Sequence, residues 1–244
     1  MRHIVRIAIL SAALWAPAGL AAAGPYEDGL AAKERGDYAT MLKLWRQLAK
    51  KGDAQAQLSL GKIYDLGLGV SENDVTAVKY FRLAAKQGYA DAQYELGHMY
   101  YLGWGVAKDY PAALSWYRKA ALQGHSQAQL DVAHLLTIGS DGVEQDVATA
   151  NKWNLLSAEQ GNENAQYALG YSYYFGSRIG RLQKDLVQSY KWFSLAADRG
   201  YEDGARMRDK LIGMMAPEDV AKAKALASEW QPKTWDELKG QVPE

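Results

Sequence analysis

Apolar and small residues recur along this chain in two alternating stripes. Counted back from Gly52, Gly88, Gly124, Gly161 and Gly200, such residues stand at −11, −8, −4 and −3, which is one face of an amphipathic helix. Fifteen residues before each glycine sits Asp37, Asn73, Asp109, Asp146 or Asp185. Each has a short side-chain acceptor suited to cap the first turn of a helix. The glycine itself supplies the left-handed residue that ends the helix. Pro111 falls in a first turn, where a missing N–H costs little.

A second stripe lies between these helices. It opens at Ala56, Ala92, Ala128 and Ala165, each followed by Gln. Four residues on comes Leu60, Leu96, Val132 or Leu169, then Gly61, Gly97, Ala133 or Gly170, then Tyr64, Tyr100, Leu136 or Tyr173. A mid-helix Gly costs about 1 kcal/mol against Ala. Its return at a fixed place predicts a second helix crossing so close that no side chain fits. The stripe stops at Gly67, Gly103, Gly139 and Gly176, and a further Gly follows in each loop (Gly69, Gly105, Gly142, Gly180). The connecting loops therefore need positive φ more than once.

The glycine anchors are 36, 36, 37 and 39 residues apart. Repeats of this length cannot bury their apolar faces singly and must stack. We expect repeats at 53–88, 89–124, 125–161 and 162–200, an N-terminal capping unit at 24–52, C-terminal capping helices at 201–230 and a tail at 231–244 that is mobile or laid along the surface. The loop 176–185 is longer than the others and basic through Arg178, Arg181 and Lys184. Residues 1–23 stand apart: Arg2 and Arg6 precede an apolar run at 7–15, and Ala21-Ala22-Ala23 closes the segment. That order reads as a secretory signal peptide cut after Ala23, and Pro17 and Gly19 argue against a membrane-spanning helix. The expected location is periplasmic or secreted.

Composition removes several function classes. The 244 residues are 48% hydrophobic and 23% charged, with zero formal net charge and no Cys. Residues 1–23 hold two Arg and no acid, so the remainder carries two more acidic than basic residues. Interleaved charge gives no footprint for nucleic acid, and thiol chemistry is absent. The Gly-x-Gly loops follow helices rather than strands and lack the Lys-Ser/Thr of a phosphate cradle. No Gly-x-Ser-x-Gly occurs, and His125, just after an anchor glycine, reads as a solvated turn residue.

The segment "AQYELGHMYYLGWGVAKDYPAALSWYRKAALQG", 92–124, and its three partners resemble the Sel1-like repeat family, longer-looped relatives of the tetratricopeptide repeat. The likeness is strong over 53–200 and looser over 25–230. It implies an all-α, right-handed superhelical solenoid of helix-turn-helix repeats, with a concave face lined by the first helix of each repeat. It also implies a protein-binding scaffold, not an enzyme, with no cofactor. Repeat three departs at Ala133 and Leu136, and the Cys pair of some exported members is missing.

Within each first helix the core positions leave a second face, running through offsets +2, +6 and +9 from the Ala-Gln. That face reads Leu58, Lys62, Asp65; Tyr94, His98, Tyr101; Leu130, His134, Thr137; and Tyr167, Tyr171, Tyr174. It changes from repeat to repeat while the core does not. Its five Tyr and two His suit recognition of a partner protein or extended peptide. Sugar rings would stack on the same surface, so a glycan-binding module is an alternative, and any one Tyr here could equally be core. Glu95-x-x-His98 and Asp131-x-x-His134 place a carboxylate and an imidazole one turn apart in successive first helices, but no further ligand pair is positioned to complete a metal site. An envelope enzyme acting on peptidoglycan or β-lactam-like substrates would draw its acid–base groups from Glu95 with Glu163 or Asp131. No nucleophile is placed against such a pair.

Overall fold

A computed structural model describes residues 24–139, 141–176 and 182–243. The signal-peptide reading of 1–23 and the basic residues Arg178 and Arg181 lie outside these residues. Among the described residues there is no strand. The helices are α1 (Pro25–Glu34), α2 (Tyr38–Lys50), α3 (Ala54–Leu66), α4 (Asp74–Lys86), α5 (Ala90–Leu102), α6 (Tyr110–Ala121), α7 (Ser126–Ile138), α8 (Val147–Glu159), α9 (Glu163–Phe175), α10 (Leu186–Asp198), α11 (Glu202–Ile212), α12 (Pro217–Ser228) and α13 (Trp235–Leu238). They fall into two compact units, one of residues up to 92 with 103–107, the other of 93–102 with 108 onward.

The predicted caps form. The side chains of Asp37, Asn73, Asp109, Asp146 and Asp185 accept from the backbone N–H three residues on, at 3.0, 2.8, 2.8, 3.0 and 3.0 Å. The anchor glycines take φ between 88° and 97°. The first helices begin two residues before the Ala-Gln, because Asp53, His125 and Asn162 cap them in the same way. His125 is thus not a solvated turn residue. Its Nδ1 accepts from the Ala128 N–H at 3.1 Å, and its ring stacks on Tyr94 at 4.5 Å.

The recurrent mid-helix glycine meets a ring rather than a crossing backbone. A Cβ on Gly97 would lie 2.7 Å from the Tyr117 ring, and one on Gly170 would lie 2.7 Å from the Phe193 ring. Gly61 is covered likewise by Phe81, and Gly29 in the N-terminal pair by Trp45. Each ring stands seven residues before an anchor glycine. In repeat three that register holds Asn154, and the glycine position holds Ala133. A smaller partner on α8 leaves room for the extra methyl on α7.

The invariant Gln is a structural tie. Gln57, Gln129 and Gln166 are buried and donate to the carbonyls of Ala49, Ala121 and Ala158 on the preceding helix, at 3.1, 3.1 and 3.2 Å. Their side-chain oxygens can then accept from the next second helix. Gln87 donates to Gln57 at 2.8 Å and Gln160 to Gln129 at 2.7 Å, while Gln123 donates to Gln93 at 2.8 Å. In repeat four the donor position carries Arg199, and Gln166 Oε1 stays buried without a partner among the described residues. The tail is laid along the second unit: Leu238 is 1% exposed in the core with Trp153 and Leu156, and the Lys233 N–H donates to the Glu159 carbonyl at 2.8 Å.

Candidate functional site

The site grows from the second unit, where α5, α7 and α9 present their offset faces. Tyr94, His98 and Tyr101 of α5, with Gln127, Leu130, Asp131 and His134 of α7, line a cavity of about 440 Å³. Tyr117 of α6 and Asn164 of α9 complete it. A second cavity, of about 380 Å³, adjoins it through Leu130 and His134. Thr137 of α7, Val147, Asn151 and Asn154 of α8, and Tyr171 and Phe175 of α9 are among its walls. Volumes of this size fall in the ordinary range for ligand pockets.

The first cavity is walled by rings. Tyr94 packs tilted on the buried Tyr117 at 5.7 Å and stacks on His98 at 6.2 Å. Tyr101 meets Tyr110 at 5.5 Å and the edge of His134 at 6.4 Å. Asp131 is set deep in this wall. Burial raises its carboxyl to about 6, against hydrogen bonds from Gln127 and Tyr94 that pull the other way. The Gln127 contacts are long, 3.4 and 3.5 Å, and the Gln127 amide is oriented by Asn162, which donates to its oxygen at 3.2 Å. Burial pushes the phenols of Tyr94 and Tyr117 well above their usual range, with the charges of Asp131 and Glu95 adding to the effect.

The second cavity exists where repeat three lacks its ring. Asn154 stands in the register of Phe81, Tyr117 and Phe193 and is 8% exposed. Its Oδ1, and Nδ2 of Asn151 one turn earlier, are buried without a partner among the described residues.

Of the twelve residues picked from sequence, Tyr94, His98, Tyr101, Leu130, His134, Thr137 and Tyr171 line these two cavities. Tyr167 instead packs against Tyr201 at 4.5 Å and Phe193 at 5.6 Å. Tyr174 lies between the ammonium groups of Lys184 and Lys210, 5.5 and 5.6 Å from its ring centre. Lys62 and Asp65 belong to the other unit, as does Leu58, which at 6% exposure is buried and offers no surface to a partner. A short apolar side chain at an offset where Tyr94 carries a long polar one is drawn into the core. Asn151 and Asn154 escaped the sequence reading because they lie on the second helix. The signal was present as the break in the ring register. Glu95 and Glu163 line neither cavity, and among the described residues no three His, Asp or Glu side chains cluster as a metal centre requires.

Helix pairs stacked through a Gln tie and a ring-on-glycine contact define a helical-repeat solenoid. The Sel1 repeat family model matches residues 54–89, 90–125, 126–162 and 164–201, and the chain belongs to that family. Sel1 repeat proteins generally mediate protein–protein interaction and are generally non-catalytic. A Sel1 repeat protein from Oxalobacter formigenes is similar in fold, with TM-score 0.71 and 24% identity over 87% of this chain and 88% of that one. A protective antigen of uropathogenic Escherichia coli displaying an SLR fold matches at 24% identity over 90% of this chain and 64% of that one, TM-score 0.48. No curated protein matches the sequence. No helix among the described residues is long and apolar enough to cross a membrane.

Proposed function

We propose that this protein is an exported, non-enzymatic adaptor of the cell envelope that holds an extended segment of a partner protein along α5, α7 and α9. The observation that carries the reading is the sharing of Leu130 and His134 by two cavities, which makes one cleft with a ring-lined end and an amide-lined end. A stacked scaffold presents that cleft already formed, so little ordering cost is added on binding. Export rests on the basic–apolar–small order of residues 1–23.

The test is selection of random twelve-residue peptides against the protein, with Tyr101→Ala/His134→Ala as the comparison. Tyr101 is half-buried and His134 exposed, so the variant should melt within a few degrees of the parent. Selected peptides should lose at least tenfold in affinity for it. Peptides that bind both proteins equally would move the binding face elsewhere. Saturable binding of cell-wall sugar fragments, or their turnover, in place of peptide binding would overturn the adaptor reading.

A further inference from the structure

We infer that the ring-lined end of the cleft is an arginine-binding subsite, in which a partner's guanidinium enters beside Tyr101 and pairs with Asp131. The inference rests on the cleft reading above and names the chemistry that one end of it takes.

Three features of the cavity converge on a planar cation. Its walls are the rings of Tyr94, Tyr101 and Tyr117 with the imidazoles of His98 and His134, and among the described residues they include no Lys or Arg. Tyr117 is buried and Tyr94 is already stacked on His125 and His98, so a planar cation is met chiefly by Tyr101, on which a guanidinium stacks flat as an ammonium does not. The one carboxylate in the wall, Asp131, is held by two neutral donors, the Tyr94 hydroxyl and the Gln127 amide. Gln127 reaches the two carboxylate oxygens only at 3.4 and 3.5 Å, contacts long enough for the paired N–H groups of an arginine to replace. The third feature is electrostatic. Asp131 and Glu95 both raise the phenols of Tyr94 and Tyr117, after burial, so both carboxylates lie within electrostatic reach of the ring wall. Burial keeps the Asp131 carboxyl close to protonation, and an incoming cation relieves that cost by supplying the charge its surroundings lack. The Asn162–Gln127–Asp131 chain holds the acceptor in place before binding.

The experiment titrates the full-length chain with three capped tripeptides, Ac-Gly-Arg-Gly-NH2 and its lysine and citrulline counterparts, at pH 7.5, following the protein by two-dimensional NMR. Citrulline keeps the shape of arginine and removes the charge. The arginine peptide should shift resonances of Tyr94, Tyr101 and Asp131. The lysine peptide should bind several-fold more weakly, and the citrulline peptide at least tenfold more weakly. Asp131→Asn, which keeps the side chain's size, should reduce arginine-peptide binding at least tenfold, while Glu218→Ala, exposed on α12 and outside both cavities, should leave it unchanged. Equal binding of the arginine and citrulline peptides by the unaltered protein overturns the proposal whether or not any variant folds. So does undiminished binding by a folded Asp131→Asn. If selected twelve-residue peptides still require Tyr101 and His134 after such a result, the cleft reading stands and only the cation subsite falls.

Discussion

Replacing Asp131 by Asn should make the unliganded protein more stable at neutral pH, against the usual expectation for loss of a buried hydrogen-bonded residue. The folded-state carboxyl lies at about 6, raised from an ordinary 3.8 by burial. A shift of about two units corresponds to about 3 kcal/mol by which ionised Asp131 disfavours the folded state. Asn carries no charge, so this penalty disappears. Against it stands the loss of one acceptor to Tyr94 or Gln127, worth about 1 kcal/mol. The net gain is about 1–2 kcal/mol, a rise of a few degrees in melting temperature for a chain of this size. The sign with pH follows from linkage. Between about 4 and about 6 the folded state holds a proton on Asp131 that the unfolded state has released, so stability at this site falls as pH rises. Below the unfolded value both states are protonated and the penalty vanishes. Thermal or urea unfolding of both proteins at pH 7.5, 5.5 and 4.0 isolates this site, because other titrations cancel in the difference. The advantage of Asp131→Asn should be greatest at pH 7.5 and shrink toward pH 4.0. A variant less stable at pH 7.5, or a difference flat across the range, would mean that Asp131 already has a charged partner, and the desolvation reasoning would fail.

Asn154→Phe alone should destabilise by about 1–3 kcal/mol, since its ring would meet the Ala133 methyl, while Ala133→Gly/Asn154→Phe should restore the ring-on-glycine pair and end above the parent by about 2 kcal/mol. Equal urea midpoints for single and double variants would refute the register. The mature protein recovered from a periplasmic extract should begin at Gly24; a chain retaining residues 1–23 there would contradict cleavage.

Much of this architecture was legible because repetition separates what the stack needs from what it leaves free. Asp109, Gly97 and Gly124 could be assigned as cap, close contact and helix end from their return at fixed intervals, and each takes that role. The reason for Gly97 was not legible. A small residue reports that something is near, not whether it is a backbone or the Tyr117 ring of another helix. The Gln after each Ala was visible as a constant without a cause, because its two partners lie on two other helices, one of them 30 or 31 residues along the chain. The offset stripe located seven cavity residues, yet it could not tell that Tyr167 and Tyr171 both pack on Phe193 while only Tyr171 also lines the cleft. That distinction depends on what the following helices place opposite, and a single-helix pattern carries no such information.

Three of the departures in repeat three bear on the cleft, while Leu136, in the place of a Tyr, is buried in the core. Ala133 and Asn154 replace the glycine and ring, which opens the amide-lined cavity and strands a buried carboxamide oxygen. Asp131 stands where α5 and α9 carry Glu95 and Ala168, and its carboxyl is held against the cost of burial. A repeat selected only for stacking would shed Asn154 and Asp131, which cost stability where the next repeat places Phe193 and Ala168. Their concentration around Leu130 and His134, the two residues shared by both cavities, is what a binding cleft predicts: a scaffold gives up stability at the positions where a partner can return it.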